Sequence, residues 1–372
     1  MKNINLEGDR TIWGVVLALS LSSVLVVYST AGWHFLFSHI TKLLLGLFAM
    51  YVVHKIKFKY FSKIGQLGFL LSLLLLVLVL LIGISVNEAS RWLKIAGQQF
   101  QPSDVAKLAI LVYMARQISK QRDYLHDFKE LFWHVLGPLI LVCVLILPNN
   151  FSTAALVFIN GLVLMFVGKI RIKFIAVIIG FSLIGALTIY AAAKFTHLGT
   201  EIMPRSATWV SRIDSFFVDA EGDEQTKDFQ QTQALVAIQN GGMTGVGPGK
   251  STQRNILPYS SSDFIYAIII EEYGLFGGVL ALLFYLILMF RAIRIALRVE
   301  SLFGSLLATG LMFSLVFQAL INMLVSVEVF PVTGQTLPLI SMGGTSIVFS
   351  CIAIGIVLSV SRDATDRKYE KA

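Results

Sequence analysis

Apolar residues run through this chain in long blocks separated by short polar clusters. Ten such windows can be placed, at residues 11–31, 36–54, 64–86, 104–118, 131–148, 151–168, 172–193, 264–290, 302–326 and 342–361. The hydrocarbon core of a bilayer takes about 20 helical residues, so each window reads as a helix able to cross a membrane. The expected architecture is an all-α polytopic membrane protein of about ten transmembrane helices. The first window lacks a small-residue cleavage site and a second window follows at once, so it reads as a retained helix rather than a signal peptide. One segment breaks the pattern. Residues 194–263 form a polar, glycine-containing stretch far longer than the usual connection of about five residues. Within it, FQQTQALVAI (229–238) has helical spacing of apolar residues and SRIDSFF (211–217) is amphipathic. They predict a long, partly helical loop between spans 7 and 8, lying on the outer membrane surface. The absence of a visible internal repeat weakens an inverted-repeat transporter.

Composition agrees. Of 372 residues, 56% are hydrophobic and 14% charged, with mean hydropathy +0.76, against about 25% charged in soluble domains. A soluble globule is excluded, and residues 1–372 read as one membrane domain. The net charge of +8 is explained by topology. With both termini cytoplasmic, 20 of the 30 Lys and Arg fall on cytoplasmic segments, while the short outer connections hold only Lys42, Arg91, Lys94 and Lys107. That is the positive-inside bias, and it needs no nucleic acid partner. Cys143 and Cys351 each lie in an apolar run, so neither a disulfide framework nor a thiolate metal site is supported.

Ionisable residues among membrane spans are costly and mark candidate sites. Four places stand out. In the first, Arg91-Trp92-Leu93 precedes QPSDVAK (101–107), where Asp104 and Lys107 are three apart and can meet. The plain alternative is a helix cap from Ser103 or Asp104 with a local ion pair. The second, GGMTGVGPGKSTQRNILP (241–258), contains GKS, yet a P-loop would need glycine at Thr244. What remains is glycine backbone able to approach an anion, with Lys250 and Arg254 as phosphate partners, or else an ordinary loop. The third, YSSSDFIYAIIIEEYG (259–274), places Asp263 at the entry to span 8, where helix capping is the alternative. Glu271 and Glu272 follow about 100° apart around the helix, at the outer interface. The fourth, FPVTGQTLPLISMGGTS (330–346), has prolines and glycines that suggest a re-entrant or broken helix lining protein or water, or a mere connector.

Together, RWL…QPSDVAK, GG…GVGPGKS…LPYSSSDFIYAIIIEEYGLFG and TGQTLPLISMGGTSIV resemble the SEDS family of bacterial cell-wall synthesis, FtsW and RodA, over essentially the whole chain. The N-terminal GDRTIWGVVLALS…VYST is more similar to FtsW than to RodA. There are two departures. Asp104 stands where the family's QPSE motif has Glu, and LPNNFSTAAL has Asn150 and Ser152 where a PDxGTA pattern has Asp and Gly.

The resemblance implies a peptidoglycan glycosyltransferase of septal wall synthesis in the cytoplasmic membrane, its active site facing outward. It would transfer a growing glycan from undecaprenyl pyrophosphate to the GlcNAc 4-hydroxyl of lipid II, with inversion. Asp263 matches the family's catalytic Asp. Arg91, Gln101, Asp104, Lys107, Lys250, Arg254, Ser341, Gly343 and Gly344 form the implied substrate-binding set. The implied partners are a class b penicillin-binding protein, other division proteins and membrane lipids. No resident cofactor is implied with certainty, and a divalent cation beside the pyrophosphate stays open. The alternatives are a lipid II flippase, an elongation polymerase of the RodA kind, or a noncatalytic scaffold. Nearly all the polar motifs fall on the outer side, whereas a transporter needs groups reachable from both faces.

Overall fold

The computed structural model describes residues 7–86, 89–95, 98–195, 206–217 and 229–370. Parts of the long loop, 196–205 and 218–228, lie outside the described residues. Seven of the described helices are long and apolar enough to cross a membrane, and each of the ten predicted windows coincides with a helix or with half of a broken one.

Helix α1 (Arg10–Lys55) holds the first two windows. At 46 residues it is roughly 69 Å of helix, over twice a hydrocarbon core. A break at Gly32, φ 73° and ψ −178°, divides it where the apolar pattern pauses. Helix α2 spans Phe61–Ile82, shorter than its window because ISV turns extended. Strands β1 (Ile84–Val86), β2 (Ala89–Ile95) and β3 (Gln98–Phe100) then form a small antiparallel sheet in the order β1-β2-β3. These strands are the one β element of an otherwise helical fold among the described residues, and they were read from sequence as span end and loop.

Helices α3 (Pro102–Lys120), α4 (Phe128–Leu131) and α5 (Gly137–Ile146) follow, the last two joined by a π-helical turn at Phe132–Leu136. Then come α6 (Phe151–Val167) and α7 (Ile172–Phe195). The long loop contributes α8 (Ser206–Phe217) and α9 (Phe229–Gly241), at the two stretches with helical patterning. The chain ends with α10 (Ile265–Arg298), α11 (Leu302–Ser326) and α12 (Ser346–Glu370).

The chain divides into two compact units. The first comprises Met1–Gly65, Gln230–Val329 and Gly334–Ala372. In it α1 packs along α12 at glycine contacts: a Cβ on Gly355 would lie 2.9 Å from the Met50 carbonyl oxygen, and one on Gly46 3.0 Å from Cys351 Sγ. Small residues let membrane helices approach this closely. Asp9 caps α1 by accepting from the Thr11 and Ile12 amides and also pairs with Arg291.

The second unit comprises Gln66–Phe229 and Phe330–Thr333, with α3 packed on α5 and α6. There α8 is tied to the rest of the unit by side-chain bonds. The Arg212 guanidinium donates to the Val332 carbonyl (3.0 Å), and Asp214 accepts from the Tyr190 hydroxyl (2.5 Å) and pairs with Lys194 (2.9 Å). The Tyr190 hydrogen bond, then that from Lys194, holds the Asp214 carboxyl below its usual range.

Helix α10 is broken at Gly274, φ 69° and ψ −174°. Such a break strands the carbonyls of the preceding turn, and the loop after α9 answers them. Val246 N donates to Glu271 O (2.9 Å), Gly247 N to Glu272 O (3.0 Å), and Leu275 N to Gly242 O (2.9 Å). Contact is so close that a Cβ on Gly274 would sit 2.2 Å from the Met243 oxygen, and one on Gly241 2.1 Å from that of Ile270. Helix α9 is therefore packed against the protein through Ala234, Ala237 and Gly241.

Gly274→Ala combines a left-handed conformation, about 1–2 kcal/mol, with overpacking of about 1–3 kcal/mol. It is expected to destabilise the detergent-purified protein by about 2–5 kcal/mol in thermal unfolding. Gly180→Ala, in open space on α7, should change stability by no more than about 1 kcal/mol. Equal melting of the two variants would contradict the account of the break.

Candidate functional site

Asp263 lies in a tight turn ahead of α10. Tyr259, at φ 57°, presents a carbonyl that accepts from the amides of Ser262 (2.9 Å) and Asp263 (3.1 Å). The N-cap position of α10 is Phe264, so the capping alternative for Asp263 loses its geometry. The carboxylate is half-exposed, and a Cβ on Gly334 would come within 3.7 Å of its Oδ2.

That turn is stitched to the fourth motif. Ser341 Oγ donates to the Ser262 carbonyl (2.5 Å) and accepts from the Leu337 amide (2.7 Å), while the Met342 amide donates to the Ser261 carbonyl (2.8 Å). The backbone from Pro331 to Thr345 is irregular rather than a re-entrant helix, and Leu337, Leu339 and Ile340 are buried. Irregular backbone at this depth needs protein partners, and α11 supplies them. Asn322 Nδ2 donates to both the Asp263 and Gln335 carbonyls (2.7 Å each), and Gln318 Nε2, one turn earlier, donates to the Thr336 carbonyl (2.8 Å). Sequence reasoning missed Asn322 and Gln318. The available signal was two amides four apart, with a serine at 326, inside an apolar helix. Gly343 packs against Thr336 and Gly344 takes φ 47°, so both serve the backbone path into α12.

In the glycine-rich motif Lys250 is exposed and Arg254 half-buried. The Arg254 guanidinium donates to the carbonyls of Ser29 (3.0 Å) and Gly249 (2.9 Å). Its backbone turn is anchored by Glu271, fully buried, which accepts from the Ser251 hydroxyl, the Thr252 hydroxyl (2.9 Å) and the Thr252 amide (3.1 Å). Glu272, also buried, accepts from the Ser29 hydroxyl. The paired acids are thus buried within the protein and anchor this loop. Ser260 Oγ donates to the Arg254 carbonyl (3.0 Å), linking this motif to the serine run before Asp263.

Arg91, Gln101, Asp104 and Lys107 belong to the second unit. Arg91, on β2, donates through Nε to the Asn149 carbonyl (2.7 Å) beyond α5, and Gln101 Nε2 donates to Ser103 Oγ (2.8 Å). The N-cap of α3 is Gln101 and Pro102 opens the helix, so neither Ser103 nor Asp104 holds the expected cap position. Asp104 is buried within charge-interaction range of Lys107. Asn150, at the departure from the PDxGTA pattern, caps α6 by accepting from the Thr153 amide (3.1 Å).

A bundle of apolar helices broken by glycine, with an acid held on a braced turn next to Gly334, defines a polytopic membrane protein with a built polar site. Residues 7–366 match the model of the FtsW/RodA/SpoVE cell cycle protein family, and the chain belongs to that family. It is 31% identical to the probable peptidoglycan glycosyltransferase FtsW of Methylomonas methanica, over 96% of this chain and 93% of that protein. It is 30% identical to the stage V sporulation protein E of Bacillus subtilis, over 86% and 84%. Among solved structures it resembles a chain of a peptidoglycan synthase complex that coordinates polymerization and crosslinking, with TM-score 0.77, 25% identity and coverage of 96% and 98%.

Asn322→Ala removes the donor of two carbonyls at once, and each buried unsatisfied group costs about 1–3 kcal/mol. Thermal unfolding is expected to show a loss of about 2–4 kcal/mol. Asn322→Asp, which keeps the shape without the NH2 group, should lose at least as much. A neutral Asn322→Asp variant would contradict these assigned bonds.

Proposed function

We propose that this chain is a peptidoglycan glycosyltransferase that polymerises lipid II into β-1,4 glycan strands, in septal wall synthesis at the outer face of the bacterial cytoplasmic membrane. The observation that carries the reading is the Asp263 turn. A half-exposed carboxylate, off the cap position of its helix, is braced through its backbone by Asn322 and Ser341. Family membership and the named relatives support the chemistry.

Asp263 takes the proton of the acceptor GlcNAc 4-hydroxyl as that oxygen attacks the donor's anomeric carbon. The bond to undecaprenyl pyrophosphate breaks and the leaving group departs with the electron pair, converting an α linkage to β. A single displacement needs one base. Cations offset the charge growing on the pyrophosphate, so a second carboxyl acting as acid is not required. Of the two cations in the glycine-rich motif, exposed Lys250 is the better candidate, because Arg254 is engaged with Ser29 and Gly249. Likeness to a chain of a synthase complex supports a class b penicillin-binding protein as the partner that crosslinks the strands.

The test is polymerisation of lipid II by the purified chain, alone and with its cognate penicillin-binding protein. Glycan product of β-1,4 linkage, from the chain alone or raised by the partner, is expected. No product in either condition would overturn the reading.

Asp104 and Lys107, one turn apart on α3, act in this reading as interacting charges that order the start of that helix. Breaking a buried pair costs about 3–5 kcal/mol, whereas replacing both charges is close to neutral. Asp104→Asn and Lys107→Met alone should therefore lower stability and polymerisation more than the two combined. If the double variant is no better than the worse single one, the charges contact substrate instead.

A further inference from the structure

The loop that holds Asp263 is itself held at a strained point. Leu339 has φ 65°, a left-handed conformation costing a leucine about 1–2 kcal/mol, and outliers of this kind persist only where their surroundings impose them. Here the carbonyls on either side of Leu339 each accept from a buried hydroxyl. Tyr285 OH donates to the Pro338 carbonyl (2.5 Å), and Ser23 Oγ donates to that of Ile340 (2.7 Å).

Ser23 departs from what a serine in a helix normally does, which is to turn its hydroxyl back onto the carbonyl four residues earlier. Its neighbours Ser22 and Thr30 do that, bonding Ala18 (2.9 Å) and Val26 (3.0 Å). Ser23 instead sits 2.7 Å from His39 Nε2. A hydroxyl has one proton, and that of Ser23 goes to Ile340, so the His39 contact requires the imidazole to donate from Nε2. His39 is 1% exposed, and its Nδ1 has no hydrogen-bond partner among the described residues, as expected for the bare nitrogen of that tautomer. The bond also crosses the break at Gly32, joining the two halves of α1.

We propose that Ser23, His39 and Tyr285 are positioning residues for the transfer reaction. Tyr285 and Ser23 clamp the backbone around Leu339, and His39 keeps the Ser23 hydroxyl aimed at the loop instead of at its own helix. The next two residues, Ser341 and Met342, carry that placement to Ser262 and Ser261, beside Asp263. The inference rests on Asp263 being the base, and adds three side chains that do not touch substrate.

The test compares Ser23→Ala, Tyr285→Phe, His39→Asn and His39→Gln in full-length protein. Three readouts are taken: lipid II polymerisation kinetics, thermal unfolding, and amide hydrogen exchange over 335–342. Ser23→Ala and Tyr285→Phe should each lower kcat about tenfold, as when a catalytic group loses its aim, with KM near the wild-type value and faster exchange confined to 335–342. His39→Gln presents an amide donor near the Nε2 position and should keep most of the activity. His39→Asn, too short to reach, should resemble Ser23→Ala.

Unchanged kcat and exchange in Ser23→Ala and Tyr285→Phe would overturn the proposal. So would indistinguishable His39→Asn and His39→Gln variants, or losses that only follow melting temperature. A wild type that makes no glycan would instead remove the glycosyltransferase reading, and exchange over 335–342 would then decide the clamp by itself.

Discussion

In a hydrocarbon layer every backbone N–H and C=O that leaves a helix must find a partner within the protein. Three departures from helix around the Asp263 turn are answered by residues of the polar motifs or by polar side chains of neighbouring helices. Ahead of the break at Gly32, the Ser29 carbonyl accepts from Arg254. At Gly274 the freed carbonyls of Glu271 and Glu272 accept from Val246 and Gly247. The irregular stretch from Pro331 to Thr345 is met by Gln318, Asn322, Tyr285 and Ser23. The polar residues that stand out among the apolar spans are thus first a solution to a solvation problem.

That solution also fixes the site. Asp263 is placed by bonds to its neighbours' backbone and its own, and the residue stays half-buried. Glu271 and Glu272 have the same chemistry and the opposite fate. They are buried, Glu271 accepting from Ser251 and Thr252 and Glu272 from Ser29 through Oε1. Three carboxylates within ten residues thus sit in different surroundings, one half-buried on a turn and two buried against the loop that returns to them.

Much of this was legible in the sequence, for identifiable reasons. Apolar windows located the helices because burial in lipid demands an uninterrupted apolar run, and α8 and α9 followed from residue spacing. Asp263 emerged from the residues around it. What stayed hidden were long-range pairings. The amides in the apolar helix mark Asn322 but do not name Asp263 and Gln335 as its partners, and nothing local points from Ser23 to a carbonyl 317 positions along the chain. The ISV segment read as helix because two apolar residues flanking one serine are too short a run to establish a period of their own. The anchoring role of the paired glutamates likewise depends on a loop that returns to them, which periodicity cannot reveal.

The central claim is that Asp263 acts as a base through its carboxylate and not as a brace through its backbone. The most direct measurement compares lipid II polymerisation by wild-type protein and Asp263→Asn, with thermal unfolding recorded on the same samples. The amide preserves size and the backbone bonds from Asn322 but cannot take a proton at neutral pH. The account predicts matched melting and a loss of glycan synthesis of about 10²- to 10⁴-fold, the usual cost of removing a general base. Near wild-type synthesis by a folded Asp263→Asn protein would contradict it.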